Sequence, residues 1–398
     1  MRTLRALVVG GGIGGLAAAR ALKRRGIDVR VFDQTETLGE VGAGIQMSPN
    51  AVRVVDGLGL GEGLREVAFH AESIVGRDGR SGRALYRTPL KAEIQRVYGA
   101  DYLHVHRADL HRLLRGALDA RCVSLGRRCE SVTQCDRGAV VRFADGREEE
   151  GDLVIGADGI HSKVREVLFG PEAPIFTGNV CWRTLVPAER VTAATVAPDV
   201  SIWQGPGGHV VTYFVRAGAL VNVVAVMESA TWIEESWNVR SSRAELVAAF
   251  DGWHANLRAL FEVATDVYRW GLFDREPMPV WTIDRVTLLG DAAHPMLPFL
   301  AQGAAMAMED ACVLADVLAH ASADVPAALR EYEALRRPRT SRVQLAARAR
   351  GRTYHENAPL RKLWRDTRYL VGRLLRPQST GLATDWIYAY DANHAARA

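Results

Sequence analysis

Lysine is almost missing from this 398-residue chain: Lys23, Lys91, Lys163 and Lys362 are the whole set, so 46 of its 50 basic residues are arginine. Biased codon usage explains that more simply than a nucleic-acid surface does. No run of five basic residues occurs and aromatics do not interleave with the arginines, which excludes a stacking surface for bases. The formal net charge is only +4. Cysteine is scarce and odd in number (Cys122, Cys129, Cys135, Cys181, Cys312), and no two form a C-x-x-C pair. That excludes a disulfide framework and reads as reduced thiols in a cytoplasmic protein. His104, His106 and His111 are conceivable ligands, but a surface helix start explains them better, and no metal is expected. Long apolar runs are missing as well. The best, Leu220–Met227, is interrupted by Asn222, so no membrane-spanning helix is expected. Repeats and low-complexity segments are missing too.

What is present begins at the N-terminus. Leu7-Val8-Val9 reads as a buried parallel strand and Ile13 to Arg25 as a helix. Between them lies Gly10-x-Gly12-x-x-Gly15. Gly10 permits the tight turn, Gly12 lets the backbone approach a pyrophosphate, and Gly15 lets helix and strand pack closely. The helix start then offers free N–H groups and the positive end of its dipole to phosphates. A second strand, Asp28–Phe32, ends at Asp33, placed to accept the ribose hydroxyls of an unphosphorylated adenosine. A secretory signal is not expected, because the glycines break the apolar stretch and Lys23-Arg24-Arg25 follows it. Some 280 residues on, Leu288-Leu289-Gly290-Asp291-Ala292-Ala293-His294-Pro295 opens a small-residue helix, and Gly156-Ala157-Asp158-Gly159 lies between. Nicotinamide dehydrogenases show the first motif without the last, so the set points to a bound flavin.

At 48% hydrophobic the chain can build two lobes. Strand and helix alternate to about Ala71. Asp145-Gly146-Arg147 between short strands signals a hairpin. From about Asn179 to Arg275 the period changes: Trp182–Pro187, Ser201–Gln204, His209–Arg216 and Ala219–Met227 read as antiparallel strands joined by glycine-containing turns. The expected fold is α/β: a discontinuous Rossmann-like FAD-binding domain (1–70, 98–178 and 276–350), a second α+β substrate domain on an antiparallel sheet (71–97 and 179–275), and C-terminal helices (351–398). Pro338 and Pro359 are read as helix interruptions.

With these motifs placed, the chain resembles the single-component FAD-dependent aromatic hydroxylases, the salicylate hydroxylase and 3-hydroxybenzoate 6-hydroxylase group in particular. The resemblance covers nearly the whole chain. It rests on the Gly10 turn, Gly42-Ala43-Gly44-Ile45-Gln46 with Pro49-Asn50, His106-Arg107-Ala108-Asp109-Leu110, Gly156-Ala157-Asp158-Gly159, Gly205-Pro206-Gly207-Gly208-His209, the Gly290-Asp291 block, and Trp386-Ile387-Tyr388. Phe214 departs from the group, which carries proline after the tyrosine. The resemblance implies non-covalent FAD, NADH or NADPH as co-substrate, and O2 with a small phenolic aromatic acid as partners. It implies hydroxylation through a flavin C4a-hydroperoxide in a cytoplasmic monomer or homodimer that engages neither nucleic acid nor membrane. A hydroxypyridine carboxylate or a biosynthetic phenol is the alternative substrate, and a non-catalytic flavin-binding regulator the alternative role. The blocks that mark flavin halogenases and Baeyer–Villiger oxygenases are absent.

By that resemblance Asp33 takes the adenosine ribose, Arg107 the pyrophosphate and ribityl region, Asp291 the ribityl chain, and Asp158 with Gly159 serves flavin and nicotinamide. Pro295 and Pro298 delay the last helix until about residue 299. Its start, with Gln302, Gly303 and Ala304, faces the flavin's N1–C2=O edge with N–H groups that stabilise negative charge. Met306 and Met308 are read as packing, and Glu309-Asp310 as an ion pair or a solvated turn. His209 and Tyr213 fall on one face of one strand, about 13 Å apart on ideal geometry, and can bracket a ring. A base that deprotonates a phenol of pKa near ~10 raises its ring nucleophilicity. The resemblance makes His209 that base, Tyr213 its hydrogen-bonding companion, and Gln302 the orienter of substrate or oxygen. Gln46, Arg183 and Arg216 are candidates for a substrate carboxylate, with Pro298 beside the ring.

Overall fold

A computed structural model describes residues 3–37, 43–230, 232, 239–320, 324–356, 367 and 384–395. Gly42, Pro359, Lys362 and most of the C-terminal tail lie outside them. The first sheet has six strands in the order 282–283, 286–288, 153–156, 5–9, 28–32 and 123–124. All but the first edge strand run parallel. Ala6, Leu7 and Val8 are fully buried because both faces are covered. The helix Ile13–Arg24 packs on one face, with the helix Gly303–His320 beside it. A three-stranded antiparallel sheet (Cys129–Cys135, Gly138–Phe143, Glu148–Gly151) packs against the other, and Phe143 meets Phe32 at 4.8 Å between ring centres. Its second turn is Asp145-Gly146-Arg147, with Gly146 at φ +80°.

The second sheet has eight strands, in the order 239–241, 267–274, 175–187, 220–228, 208–215, 200–205, 73–78 and 84–89. Its pairs are antiparallel except for Val200–Gly205 with Ser73–Asp78. Alternation divides its two faces. Val210, Val221, Val223 and Trp182 point outward into a core closed by the helices Arg243–Ala249 and Ala255–Glu262, through Leu246, Phe250, Leu257 and Phe261. Residues of the opposite parity, among them His209, Val211, Tyr213 and Val224, face the first sheet across a cavity. A short strand pair, Gly44–Met47 with Leu103–His106, forms the seam between the sheets.

Two expectations are corrected here. His104 and His106 are 0% and 2% exposed, inside that seam, and the ring of His104 lies 4.9 Å from that of Tyr213, so neither marks a surface. Pro338 does not interrupt its helix, which runs unbroken over Val325–Tyr354. The ring costs one backbone hydrogen bond, while Arg336 and Arg339 on either side of it are pinned by buried acids. Among the described residues no helix is long and apolar enough to cross a membrane, and no cluster of side chains is arranged to hold a metal ion.

Candidate active site

The glycine turn is built as its spacing requires. Gly10 has φ +109°, and a Cβ there would lie 2.2 Å from the Ala157 carbonyl oxygen; one on Gly15 would lie 1.9 Å from the Gly10 oxygen. By contrast nothing stands within 4 Å of a Cβ on Gly12, the side from which a phosphate approaches. Asp33 accepts from the Gly11 N–H at 2.6 Å and from Thr35, which fixes its carboxylate at the strand end. His111 donates from Nε2 to the Gly11 carbonyl at 2.7 Å, a tie not anticipated from sequence. The adjoining groove is lined by Gly12, Arg107, Gly159, Asp291, Gly303 and Ala304. Arg107 starts the helix Arg107–Gly116, and burial lowers its pKa while Asp291 opposes that. Asp291 is open to the groove, though burial among protein groups raises its pKa. An open phosphate approach, a guanidinium and a carboxylate in one trough fit an extended dinucleotide.

Asp158 is placed differently from expectation. Its carboxylate accepts from the Ser162 hydroxyl at 2.5 Å and from the N–H groups of Lys163 and Val164, so it caps the helix Lys163–Phe169 and does not line the groove. An acid one turn before a helix start satisfies orphan donors first. The unanticipated partner is Arg165, 5% exposed, which donates to the Ile160 and Ala292 carbonyls and so ties two groove loops together. Arginines are too frequent here for sequence to single it out.

The groove is continuous with a cavity against the inner face of the eight-stranded sheet, and the two together enclose about 430 Å³. His209, Tyr213, Gln46, Arg183 and Pro298 line it, with Trp270, Leu272, Phe299 and Tyr354 as apolar walls. Tyr213 reaches its place because residue 44 is glycine: a Cβ there would lie 2.6 Å from its ring. Gln46 accepts from the Tyr102 hydroxyl at 2.7 Å. The guanidinium of Arg183 lies 5.0 Å from the Trp270 ring centre, and its Nε finds no hydrogen-bond partner among the described residues. His209 and Tyr213 are 2% and 3% exposed. Burial, then the neighbouring His355, holds the His209 imidazole well below its usual range, so it is neutral at pH 7. Burial raises Tyr213, which keeps its proton. Thr384 and Tyr388 return from the far end of the chain to the cavity wall.

One candidate lies off the cavity and another is held on its wall by protein partners. Arg216, in the turn after the strand at φ +52°, pairs with Asp109 and does not line the cavity. Strand parity stops applying once that turn begins. Gln302 lines the cavity but is 2% exposed, and its amide bonds within the protein: it donates to Ser48 and the Leu300 carbonyl and accepts from Asn50. It ties the loop before the helix Gly303–His320 to the chain at residues 48–50. Asn50 in turn donates to Glu309, which pairs with Arg336 and Arg339. The neighbouring Asp310 takes Arg336, the Gly290 N–H and His294. Glu309-Asp310 is therefore a buried ion pair system and not a solvated turn.

Two buried neutral histidines make stability pH-dependent. Burial pushes His104 down to about 3, and His209 also lies well below the usual value. Depressed folded-state values mean that the unfolded chain binds more protons below about pH 6.5. Stability is therefore lost as pH falls through that value, by roughly 1.4 kcal/mol per pH unit for each residue, and His104's share ends near pH 3. Denaturant titrations between pH 7.5 and 5 should show this slope, and His104→Leu should lessen it. An unchanged slope in the variant would remove His104 from the account.

Fold and site together define a dinucleotide-binding oxidoreductase with a cavity that continues from the cofactor groove. Comparison with known proteins sharpens that class. The family model described as an FAD binding domain matches residues 3–347. A 3-amino-4-hydroxybenzoate 2-monooxygenase of Streptomyces platensis is 41% identical over 388 residues, 98% of this chain and 96% of the relative. A 3-hydroxybenzoate 6-hydroxylase of Polaromonas naphthalenivorans is 38% identical over 98% of this chain and 96% of its own. A salicylate hydroxylase substrate complex superposes with a TM-score of 0.84 at 31% identity, covering 99% and 97% of the two chains. The chain belongs to the FAD-binding aromatic hydroxylase family and is an FAD-dependent monooxygenase. The expected α/β fold, cofactor and reaction class are borne out.

Proposed function

We propose that this enzyme uses NADH or NADPH and O2 to hydroxylate a phenolic benzoate, with an amino-substituted hydroxybenzoate as the first candidate. The observation that carries this reading is the presence, on the wall of one cavity, of the neutral His209 imidazole and the Arg183 guanidinium, whose Nε has no hydrogen-bond partner among the described residues. A ring bearing both a hydroxyl and a carboxylate satisfies both. The flavin, bound in the groove, supplies electron transfer from the nicotinamide and activation of dioxygen. The chain does the rest. His209 takes the phenolic proton, Tyr213 donates its O–H to the oxygen of the ring, and Arg183 holds the carboxylate. Phe299, Trp270 and Leu272 exclude water. Gly12, Arg107 and Asp291 hold the dinucleotide, with Asp33 at its adenosine end. Residues around 71–97 and 179–275 form the substrate lobe in this reading. The free cysteines suit a cytoplasmic monomer or homodimer.

The test is a substrate panel with purified holoenzyme: 3-amino-4-hydroxybenzoate, 3-hydroxybenzoate and salicylate, with benzoate and neutral phenols as controls. At least one hydroxybenzoate should stimulate NAD(P)H oxidation at least tenfold and yield hydroxylated product in place of peroxide. A yellow holoenzyme that forms only peroxide with every member would overturn the reading and favour a flavin-binding regulator.

A further inference from the structure

His209 has a second partner on the side away from the cavity. Its Nδ1 lies 2.8 Å from Nε2 of His355, which directly follows the helix Val325–Tyr354. His355 Nδ1 in turn lies 3.3 Å from Oε1 of Glu228, at the end of the strand Leu220–Glu228. Exposure changes sharply along this line. The side chain of His355 is 5% exposed and that of Glu228 is 55% exposed. We propose that His355 and Glu228 complete a proton relay that carries the substrate's phenolic proton from His209 to solvent. This rests on the reading of the cavity given above.

One assignment of protons satisfies the whole chain. Glu228, an acceptor, takes the Nδ1–H of His355 and so fixes that ring as its Nδ1 tautomer. Its bare Nε2 then accepts the Nδ1–H of His209, which leaves His209 Nε2 bare for the cavity. No hydrogen bond to that Nε2 occurs among the described residues. The logic is that of a base held in its working tautomer by an acid behind it. A proton retained on His209 would leave a cation where burial disfavours one. Passing it on removes that cost. The phenolic O–H breaks as Nε2–H forms, Nδ1–H of His209 passes to His355 Nε2, and Nδ1–H of His355 passes to the Glu228 carboxylate, which releases it to water. Afterwards every hydrogen bond is reversed, and His209 donates Nε2–H to the phenolate it has made. The same route returns a proton as product leaves.

Among the described residues neither imidazole has a polar side-chain partner other than the other imidazole and Glu228. Phe299 packs on both imidazoles, at 5.2 and 5.9 Å between ring centres. Titratable or charged groups near the pair include Tyr354 and Arg350 of the helix, Glu356 next in the chain, Cys181 and Tyr268 in the cluster around Phe299, and Arg183 on the cavity wall. Burial lowers His355 while Glu228 opposes that, so its imidazole is neutral at rest and ready to accept.

The test measures ionisation of the substrate directly. Oxidised holoenzyme is mixed, without NAD(P)H, with the hydroxybenzoate that turns over fastest in the panel, and phenolate absorbance is followed by stopped flow. Glu228→Gln, on the exposed end, and His355→Phe should each slow phenolate formation about ten- to hundredfold. FAD content should be unchanged, and the acidic limb of the kcat profile should move. Glu228→Asp should restore most of the rate. Phenolate formation at the parent rate in Glu228→Gln, with an unmoved pH profile, would overturn the relay even if His355→Phe fails to fold. That outcome leaves the function standing, because the parent enzyme still hydroxylates. Failure of the parent to bind any phenol would instead strike the function first.

Discussion

Arg336→Ala should destabilise the protein by about 3–5 kcal/mol, the usual consequence of removing one partner from a buried ion cluster. Arg336, Glu309 and Asp310 are all 0% exposed. Arg336 donates Nε to Asp310 at 2.7 Å and its Nη2 lies 2.8 Å from Glu309. Its loss would leave two carboxylates in the interior with Arg339 and His294 as their remaining charged partners. Burial alone would raise Asp310, yet His294 and Arg336 hold it below the usual carboxylate range. The effect should also reach the cofactor. Asp310 holds the Gly290 N–H, next to Asp291 on the groove wall, and Glu309 holds Asn50, which holds Gln302. Urea titration of apo- and holoprotein should therefore show a lower midpoint and weaker FAD retention together. Lysine should rescue little, because a point charge cannot serve two carboxylates at the angles of a guanidinium fork. A loss under about 1 kcal/mol would mean that water or a rearranged Arg339 compensates.

That cluster also marks where sequence reasoning stops. The signals that could be read were local in period. The apolar run before Gly10, the acid at the end of the second strand and the hairpin at Gly146 each depend on neighbours within a few residues. Alternation placed His209 and Tyr213 on one face because period 2 is a property of the strand itself. The features that escaped depend on partners remote in the chain. Asn50 meets Glu309 across 259 residues, Arg165 meets Ala292 across 127, and His209 meets His355 across 146. No spacing encodes such pairs, and with 46 arginines composition gives no reason to prefer one. Polar residues at loop–helix junctions are hard to read for a related reason. Asp158 caps a helix and Gln302 is tied to Ser48 and Asn50, because a chain must satisfy its own donors and acceptors there. Arg216 lay one residue past the end of its strand, where parity no longer says which way a side chain points. Pro338 lies mid-helix between Arg336 and Arg339, both held by buried acids that no local spacing announces.

His209→Ala should slow hydroxylation at pH 7 by about 10²–10⁴, the range of general acid–base contributions. Reduction of the flavin by NAD(P)H should stay within about threefold of the parent enzyme, because His209 lies on the sheet side of the cavity. Reduced enzyme would then turn over mainly to peroxide, so product formed per NAD(P)H consumed falls. Among the described residues that line the cavity no second base stands ready: burial raises Tyr213 and keeps it a donor, and Asp291 lies along the dinucleotide groove. The deficit should shrink as pH approaches the phenol's own pKa near ~10, since the substrate then arrives ionised. That recovery separates lost proton transfer from lost structure, which alkali would not repair. Packing offers a second separation. His209 contacts Phe299 and Tyr354 at 5.2 and 5.1 Å between ring centres, so alanine also leaves a gap. His209→Phe fills that gap without restoring a base, and it should be as slow as alanine while holding FAD normally. If either variant hydroxylates at pH 7 within threefold of the parent, the proton leaves by another route and His209 is packing alone.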